Sequence, residues 1–138
     1  MTARDIERFN SMDVIHVGII SSNRKLRFSL RTLLVEEGGD AVDLVCEGLS
    51  LYEFGWKKLS IPDVVLIDMD HVSTFQDIYL AYAQEIFPRA AVLLLYDETF
   101  PADKSHPAMR IAGLSKQCTA LELLTAVFRV VQEGVTLS

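Results

Sequence analysis

The sequence has few cysteines, and no spacing pairs them with other metal ligands. Cys46 and Cys118 each lie inside an apolar segment of the 138 residues, without a CxxC motif or a neighbouring histidine. We interpret both as buried structural thiols of a protein in a reducing compartment. His16, His71 and His106 are scattered singly, which is more typical of packed or solvated side chains than of ligands. The sequence therefore predicts no metal site.

The motifs of ordinary enzyme chemistry are also missing. A dinucleotide-binding protein needs GxGxxG after its first strand, and "ISSNRK" stands there instead. There is no P-loop, no GxSxG and no HExxH. Ser21 and Ser22 would need a neighbouring base to act as nucleophiles, and no histidine is placed at a strand end where it could serve. We expect no hydrolase or oxidoreductase activity, and no enzyme.

Long hydrophobic runs are absent, and the charge is acidic. No apolar run approaches the roughly 18 residues of a membrane span, and the first 13 residues lack the apolar core of a signal peptide. These features predict a cytoplasmic protein with no membrane partner. The net charge of −6 argues against broad, non-specific nucleic-acid binding by this segment.

Five apolar, strand-like runs alternate with segments of helical periodicity. The strand-like runs are 14–20, 41–48, 63–68, 91–96 and 110–115. The helical segments are a leucine-spaced one ended by glycines at 38–39, a short amphipathic stretch from Leu51 to Leu59, one from about Thr74 to Phe87, and a last one. That last helix begins with Thr119 as N-cap and Glu122 three residues on, a capping-box spacing.

Continuously apolar strands that alternate with helices favour a parallel sheet buried on both faces. We predict an α/β, doubly wound, five-stranded sheet in the flavodoxin-like order 2-1-3-4-5, with helices on both faces. Pro101 and Pro107 predict an irregular or shortened fourth helix. One domain spans residues 13–134, after a flexible N-terminal extension, 1–12, and before the start of a C-terminal linker, 135–138.

Polar side chains stand at three strand ends of this arrangement. Ser21 and Ser22 follow the first strand, Asp68 ends the third, and Lys116 follows the fifth. In a sheet of order 2-1-3-4-5 those ends converge on one rim, where ligand sites form in open α/β sheets. We expect a carboxylate to face an ammonium group across that rim.

Two phrases of the sequence resemble a known family in the same order and spacing. "PDVVLIDMD" is similar to the stretch that carries the phospho-acceptor aspartate of bacterial response regulator receiver domains, and "GLSKQCTALELLTAVFRVV" to their last strand, lysine and final helix. The resemblance implies a CheY-like fold, with Asp68 as acceptor and Lys116 as the lysine that pairs with the phosphate. The last helix is closest to the NarL/FixJ-type subfamily.

The resemblance also identifies departures from the family. Receivers carry two carboxylates after the first strand that help hold Mg²⁺, and Ser21 and Ser22 stand there. Tyr96 takes the place of a Thr or Ser, and its ring is either fixed inward or presented at an interface. The chain therefore resembles an atypical, or pseudo-, receiver with a vestigial acceptor site and weak or absent Mg²⁺ binding. Asp68 and Lys116 form either a structural charge pair or a site of residual phosphoryl chemistry.

Such a receiver is expected to act in two-component signalling and transcription regulation through dimerisation or contacts with other signalling proteins. The resemblance implies a homodimer through the last strands and helices, and DNA contact only through a C-terminal helix-turn-helix domain not in this chain. One alternative is a stand-alone adaptor. Another is a rim that senses a small phosphorylated ligand or cyclic nucleotide through Arg24, Lys25 and Arg27 at the start of the first helix.

Overall fold

The structure, a computed structural model, describes residues 14–55, 58–59, 61–69, 76–97 and 111–136. Along these ranges the chain forms β1 (Ile15–Ile20), α1 (Arg24–Gly38), β2 (Val42–Gly48), β3 (Val64–Asp68), α2 (Gln76–Ile86), β4 (Ala91–Tyr96), β5 (Ile111–Ser115) and α3 (Ala120–Thr136). The expected N-terminal extension, 1–12, and the expected irregular fourth helix both lie outside the described residues. The last helix continues to Thr136, two residues into the expected linker.

The five strands form one parallel sheet in the order β2-β1-β3-β4-β5. In its register Val17 lies opposite Val64, and Val64 lies opposite Ala91. The predicted fold class and strand order are confirmed. Because all strands run in the same direction, the carboxyl ends of β1, β3 and β5 open onto one rim of the sheet.

The apolar core lies in two layers, one on each face of the sheet. Alternate side chains of β1, β3 and β4 meet α1 and α3 on one face, where Leu34, Leu66 and Leu93 are fully buried. The opposite side chains meet α2, with Ile67 and Leu80 in that layer. Since burying one such side chain contributes about 1.5–3 kcal/mol, these two layers hold the strand ends in place. In the described part of the chain, no helix is long and apolar enough to cross a membrane.

The helix boundaries follow local signals in the sequence. The Asn23 side chain accepts a hydrogen bond from the Leu26 backbone N–H at 3.1 Å and caps the start of α1. Gly39, with φ of 55°, ends the same helix, because glycine adopts this conformation without steric cost. At the start of α3, Thr119 and Glu122 exchange two hydrogen bonds of 3.1 Å, which confirms the capping box.

The prediction of a helix from Leu51 to Leu59 was wrong in the part that the structure describes. The chain forms only a 3-10 turn over Leu51–Phe54 and then leaves it at Gly55, whose φ is 59°. A positive φ cannot continue a right-handed helix, so the glycine in the middle of the amphipathic pattern ends the turn. Aromatic side chains pack there: the ring of Tyr52 stacks on that of Tyr82 with 5.5 Å between centroids.

Candidate functional site

The carboxylate of Asp68 is the centre of the candidate site. Asp68 is the last residue of β3, a strand that lies between β1 and β4, and its side chain is 1% exposed. The next residue, Met69, donates its N–H to the carbonyl of Leu95 at 3.1 Å, so the chain beyond Asp68 is still tied to β4. A buried carboxylate needs compensation from charge and hydrogen bonds, and residues that follow β1 and β5 supply it.

Lys116 supplies the charge. It follows β5 directly, and its backbone N–H donates to the carbonyl of Tyr96 at 2.8 Å, which fixes the start of the side chain. Its ammonium Nζ lies 2.6 Å from Oδ1 of Asp68, and its side chain is only 9% exposed. The expected carboxylate–ammonium contact across the rim is therefore present, as a short and largely desolvated ion pair.

Ser21 supplies the hydrogen bond to the other oxygen. Its backbone N–H donates to the carbonyl of Gly48 at 3.0 Å, and the residue is buried at the junction of β1 and α1. Its hydroxyl donates to Oδ2 of Asp68 at 2.8 Å and accepts from the N–H of Asn23 at 3.1 Å. Each oxygen of the Asp68 carboxylate thus has a partner, one an ammonium and one a hydroxyl.

The other two residues predicted at this rim lie differently. Ser22 is exposed, on the outside of the β1–α1 junction. Tyr96 is half-buried and packs against the apolar layer that includes α2. Whether the Tyr96 ring is fixed inward or also serves an interface stays a prediction. The site therefore consists of Ser21, Asp68 and Lys116, with Tyr96 beside it.

Asp97 is a neighbour of the site that the sequence reasoning missed. Its carboxylate lies 3.9 Å from Nζ of Lys116, on an exposed side chain. The available signal was its position directly after β4, at the same rim as the other strand ends. One ammonium group is thus flanked by a buried and an exposed carboxylate. Across the ranges that the structure describes, no three acidic, histidine or cysteine side chains gather in a group that could hold a metal ion.

The basic residues proposed to bind an anion, Arg24, Lys25 and Arg27, lie at the start of α1. Arg27 donates from Nη1 to the carbonyl of Ser21 at 2.8 Å, which ties α1 to the site junction. Arg31 pairs with Glu47 at 3.5 Å, on β2. Arg24 and Lys25 are exposed. Anion binding by Arg24, Lys25 and Arg27 stays a prediction.

A second polar pair lies at the opposite end of the sheet. Nδ1 of His16 is 3.1 Å from Oδ2 of Asp63, and the same oxygen accepts the His16 backbone N–H at 2.8 Å. Asp63 in turn donates its N–H to the carbonyl of His16 at 2.8 Å. This pair ties the start of β3 to β1, and we assign it a structural role.

Comparison with known proteins gives the class of the fold. No protein-family model and no curated protein sequence matches the chain. Among solved structures, it is similar to the signal receiver domain of the response regulator NarL from Mycobacterium tuberculosis, with 19% identity and a TM-score of 0.61, over 87% of this chain and 98% of that one. It is also similar to the response regulator RcsB from Salmonella typhimurium, with 20% identity and a TM-score of 0.65, over 89% of this chain.

A third similar structure is a pilus assembly-related protein from Burkholderia pseudomallei, with 16% identity and a TM-score of 0.67, over 87% of this chain and 91% of that one. The chain spans 62% of the RcsB chain, so it corresponds to a part of that regulator. Identities this low show the fold alone. The fold is the CheY-like fold of response regulator receiver domains.

Proposed function

We propose that this chain is a receiver-type signalling module that does not use aspartate phosphorylation and acts through contacts with other proteins. The observation that carries the proposal is the double occupancy of the Asp68 carboxylate, by Nζ of Lys116 at 2.6 Å and by the Ser21 hydroxyl at 2.8 Å. An acceptor carboxylate must offer an oxygen to the incoming phosphorus atom. Here both oxygens already accept buried, charge-assisted contacts, which lower the reactivity of the carboxylate toward phosphorus.

The chemistry of Ser21 supports the same conclusion. Mg²⁺ prefers carboxylate and phosphate oxygens and dehydrates reluctantly. The Ser21 hydroxyl is neutral, and its hydrogen already points at Asp68, so it presents no negative charge to a cation at this rim. Without a metal ion, the ammonium of Lys116 is the cation that the described part of this rim offers to offset the charge of a transferred phosphoryl group.

The test compares the unmodified chain with a variant that carries aspartates at positions 21 and 22. We expect intact-mass spectrometry to show no phosphoryl addition after incubation with acetyl phosphate and Mg²⁺. The Ser21→Asp/Ser22→Asp variant is expected to gain Mg²⁺ affinity, because it adds one carboxylate at the position that contacts Asp68 and a second at the neighbouring position. Stoichiometric phosphorylation of the unmodified chain that disappears in Asp68→Asn would contradict the proposal.

For the whole protein, we propose control of a C-terminal DNA-binding domain, with a stand-alone adaptor as the alternative. The support is the fold, together with the similarity to RcsB, a response regulator that interacts with DNA and of which the chain spans only part. Reading the coding sequence past Ser138 decides between them: a helix-turn-helix segment supports the regulator, and an immediate stop codon supports the adaptor.

A further inference from the structure

The solvent-facing side of α1 carries two adjacent rows of side chains. One row contains the exposed residues Arg24, Phe28, Arg31 and Val35, and the next contains the exposed Lys25, Ser29 and Glu36 with the half-buried Thr32. Phe28 is 61% exposed and Val35 is 59% exposed, although the helix buries Leu30 and Leu34 on its inner side. We call these eight residues the outer face of α1. Two large apolar side chains on one helix face, flanked by charges, are typical of a surface that packs against another helix.

The charges of this face run against the helix dipole. The first half of α1 carries Arg24, Lys25, Arg27 and Arg31, and the last part carries Glu36 and Glu37, with no acidic residue in the first turn and no basic residue in the last. Cations at a helix N-terminus and anions at its C-terminus are locally unfavourable. The two ends of the outer face of α1 therefore carry opposite charges.

We propose that the outer face of α1 binds the same face of a second copy of this chain, with the two helices antiparallel about a two-fold axis near Arg31 and Thr32. Antiparallel packing places the cationic half of each helix beside the anionic end of the other. One face then supplies both complementary halves, which is the condition for a symmetric, self-complementary contact. The inference rests on the proposed function, since it names the surface through which a module without phosphorylation would associate.

The spacing of the residues fits this arrangement. With a rise of about 1.5 Å per residue, a two-fold axis between Arg31 and Thr32 puts Phe28 at the same level as Val35 of the partner subunit. Measured along the helix axis, Lys25 then lies within about 3 Å of the level of Glu36 of the partner subunit. The small side chains of Ser29 and Thr32 at the centre permit close approach of the two helices.

Arg31 is the charged residue that meets its own copy near the two-fold axis. Its charge is compensated within each chain, because Nη1 lies 3.5 Å from Oε2 of Glu47. Its guanidinium also lies 5.6 Å from the centroid of the Phe28 ring, so that it covers the ring that the partner contacts. The two arginines therefore do not oppose association. One helix from each chain makes a small interface, so we expect a weak, concentration-dependent dimer.

A charge-exchange experiment tests the pairing. Lys25→Glu and Glu36→Lys, made separately in the full chain, are each expected to raise the dimer dissociation constant by about tenfold or more, because each creates two like-charge contacts per dimer. The double variant restores both contacts and is expected to dimerise like the unmodified chain. Within one chain the two positions are about 16 Å apart, so recovery cannot come from an intrachain pair.

Mixing the two single variants gives a sharper test of the pairing between Lys25 and Glu36. A Lys25→Glu chain and a Glu36→Lys chain are each impaired alone, but together they present opposite charges at both contacts. With one variant labelled, sedimentation velocity is expected to show a heterodimer in the mixture, whereas each variant alone stays largely monomeric. Absence of that heterodimer, or full dimerisation of each single variant, overturns the inference.

Phe28→Glu and Leu121→Glu form a matched pair of controls, because both replace an exposed apolar side chain, Leu121 lying on α3 at 75% exposure. We expect only Phe28→Glu to abolish the dimer. If only Leu121→Glu abolished the dimer, the interface would lie at the last strand and helix. If the unmodified chain were strictly monomeric, no such interface would exist. Both outcomes overturn the inference. Neither bears on phosphorylation, which the acetyl phosphate experiment decides separately.

Discussion

Ser21 donates its hydroxyl hydrogen to Oδ2 of Asp68 across 2.8 Å, and this bond joins residues 47 positions apart in the chain. The other oxygen of the same carboxylate accepts from Lys116. Through one buried side chain, the ends of β1, β3 and β5 are therefore connected. In the proposed module this contact holds the three strand ends in place.

Replacing Ser21 tests the hydroxyl bond directly. Ser21→Ala removes a hydrogen bond to a buried carboxylate, and we expect a loss of about 1.5–3 kcal/mol in the free energy of unfolding, measured by urea denaturation. Ser22→Ala is the matched control: Ser22 is exposed, so its loss should stay within about 0.5 kcal/mol. Equal effects of the two substitutions would show that the bond to Asp68 contributes nothing.

Replacing Lys116 tests the ion pair. Lys116→Met leaves the Asp68 carboxylate buried without its cation, and we expect a loss of about 3–5 kcal/mol in the free energy of unfolding. In the double variant Asp68→Leu/Lys116→Met neither charge remains, so its loss should be smaller than the sum of the two single losses. Lys58→Met, at an exposed position, is the control and should change little. Additive losses would contradict the pairing.

Gly18 has a steric role in β1. A Cβ at this position would lie 2.7 Å from Sγ of Cys46, on the neighbouring strand β2, where the β1–β2 register shifts between Val17 and Gly18. We expect Gly18→Ala to cost about 1–3 kcal/mol through overpacking. In a Cys46→Ala background the same substitution should cost less, because the sulfur is gone. A cost that is unchanged in that background would refute the contact as its cause.

The Cys46 thiol is expected to titrate at high pH. Burial raises its pKa from the ordinary 9.0 to about 11, and the charge of Glu47 acts in the same direction. The unfolded chain therefore releases this proton first, so its contribution to stability is complete below pH 9.0 and is lost as the pH rises through about 11. The difference in unfolding free energy between the unmodified chain and Cys46→Ala should shrink over that window.

A thiolate titration gives a direct measurement of the same pKa. In Cys118→Ala the only thiol is Cys46, and its ultraviolet thiolate absorbance should rise well above the pH at which the urea-unfolded chain titrates. Coincident titration curves in the folded and unfolded states would exclude the shift.

Most of the fold could be predicted because its determinants are local. The strand from Ala91 to Tyr96 is apolar throughout, as a strand covered on both faces must be. The last helix begins at the reciprocal hydrogen bonds of Thr119 and Glu122. These bonds depend on a spacing of three residues and on no residue far away in the chain. The prediction of a helix after Leu51 was wrong because the apolar spacing there is helical, while Gly55 takes a positive φ and its carbonyl accepts a hydrogen bond from the Tyr82 hydroxyl of α2 at 2.8 Å.

The candidate site also has features that the sequence predicts and features that depend on the tertiary structure. The sequence by itself determined that Ser21, Asp68 and Lys116 would share a rim, since strand order in a parallel sheet brings the carboxyl ends of β1, β3 and β5 together. Only the tertiary structure decided that the Ser21 hydroxyl faces Asp68 while Ser22 faces solvent, and that Asp97 stands beside Lys116. Composition and spacing specify which residues reach a strand end, but the direction of each side chain there depends on backbone turns and on partners far away in the chain.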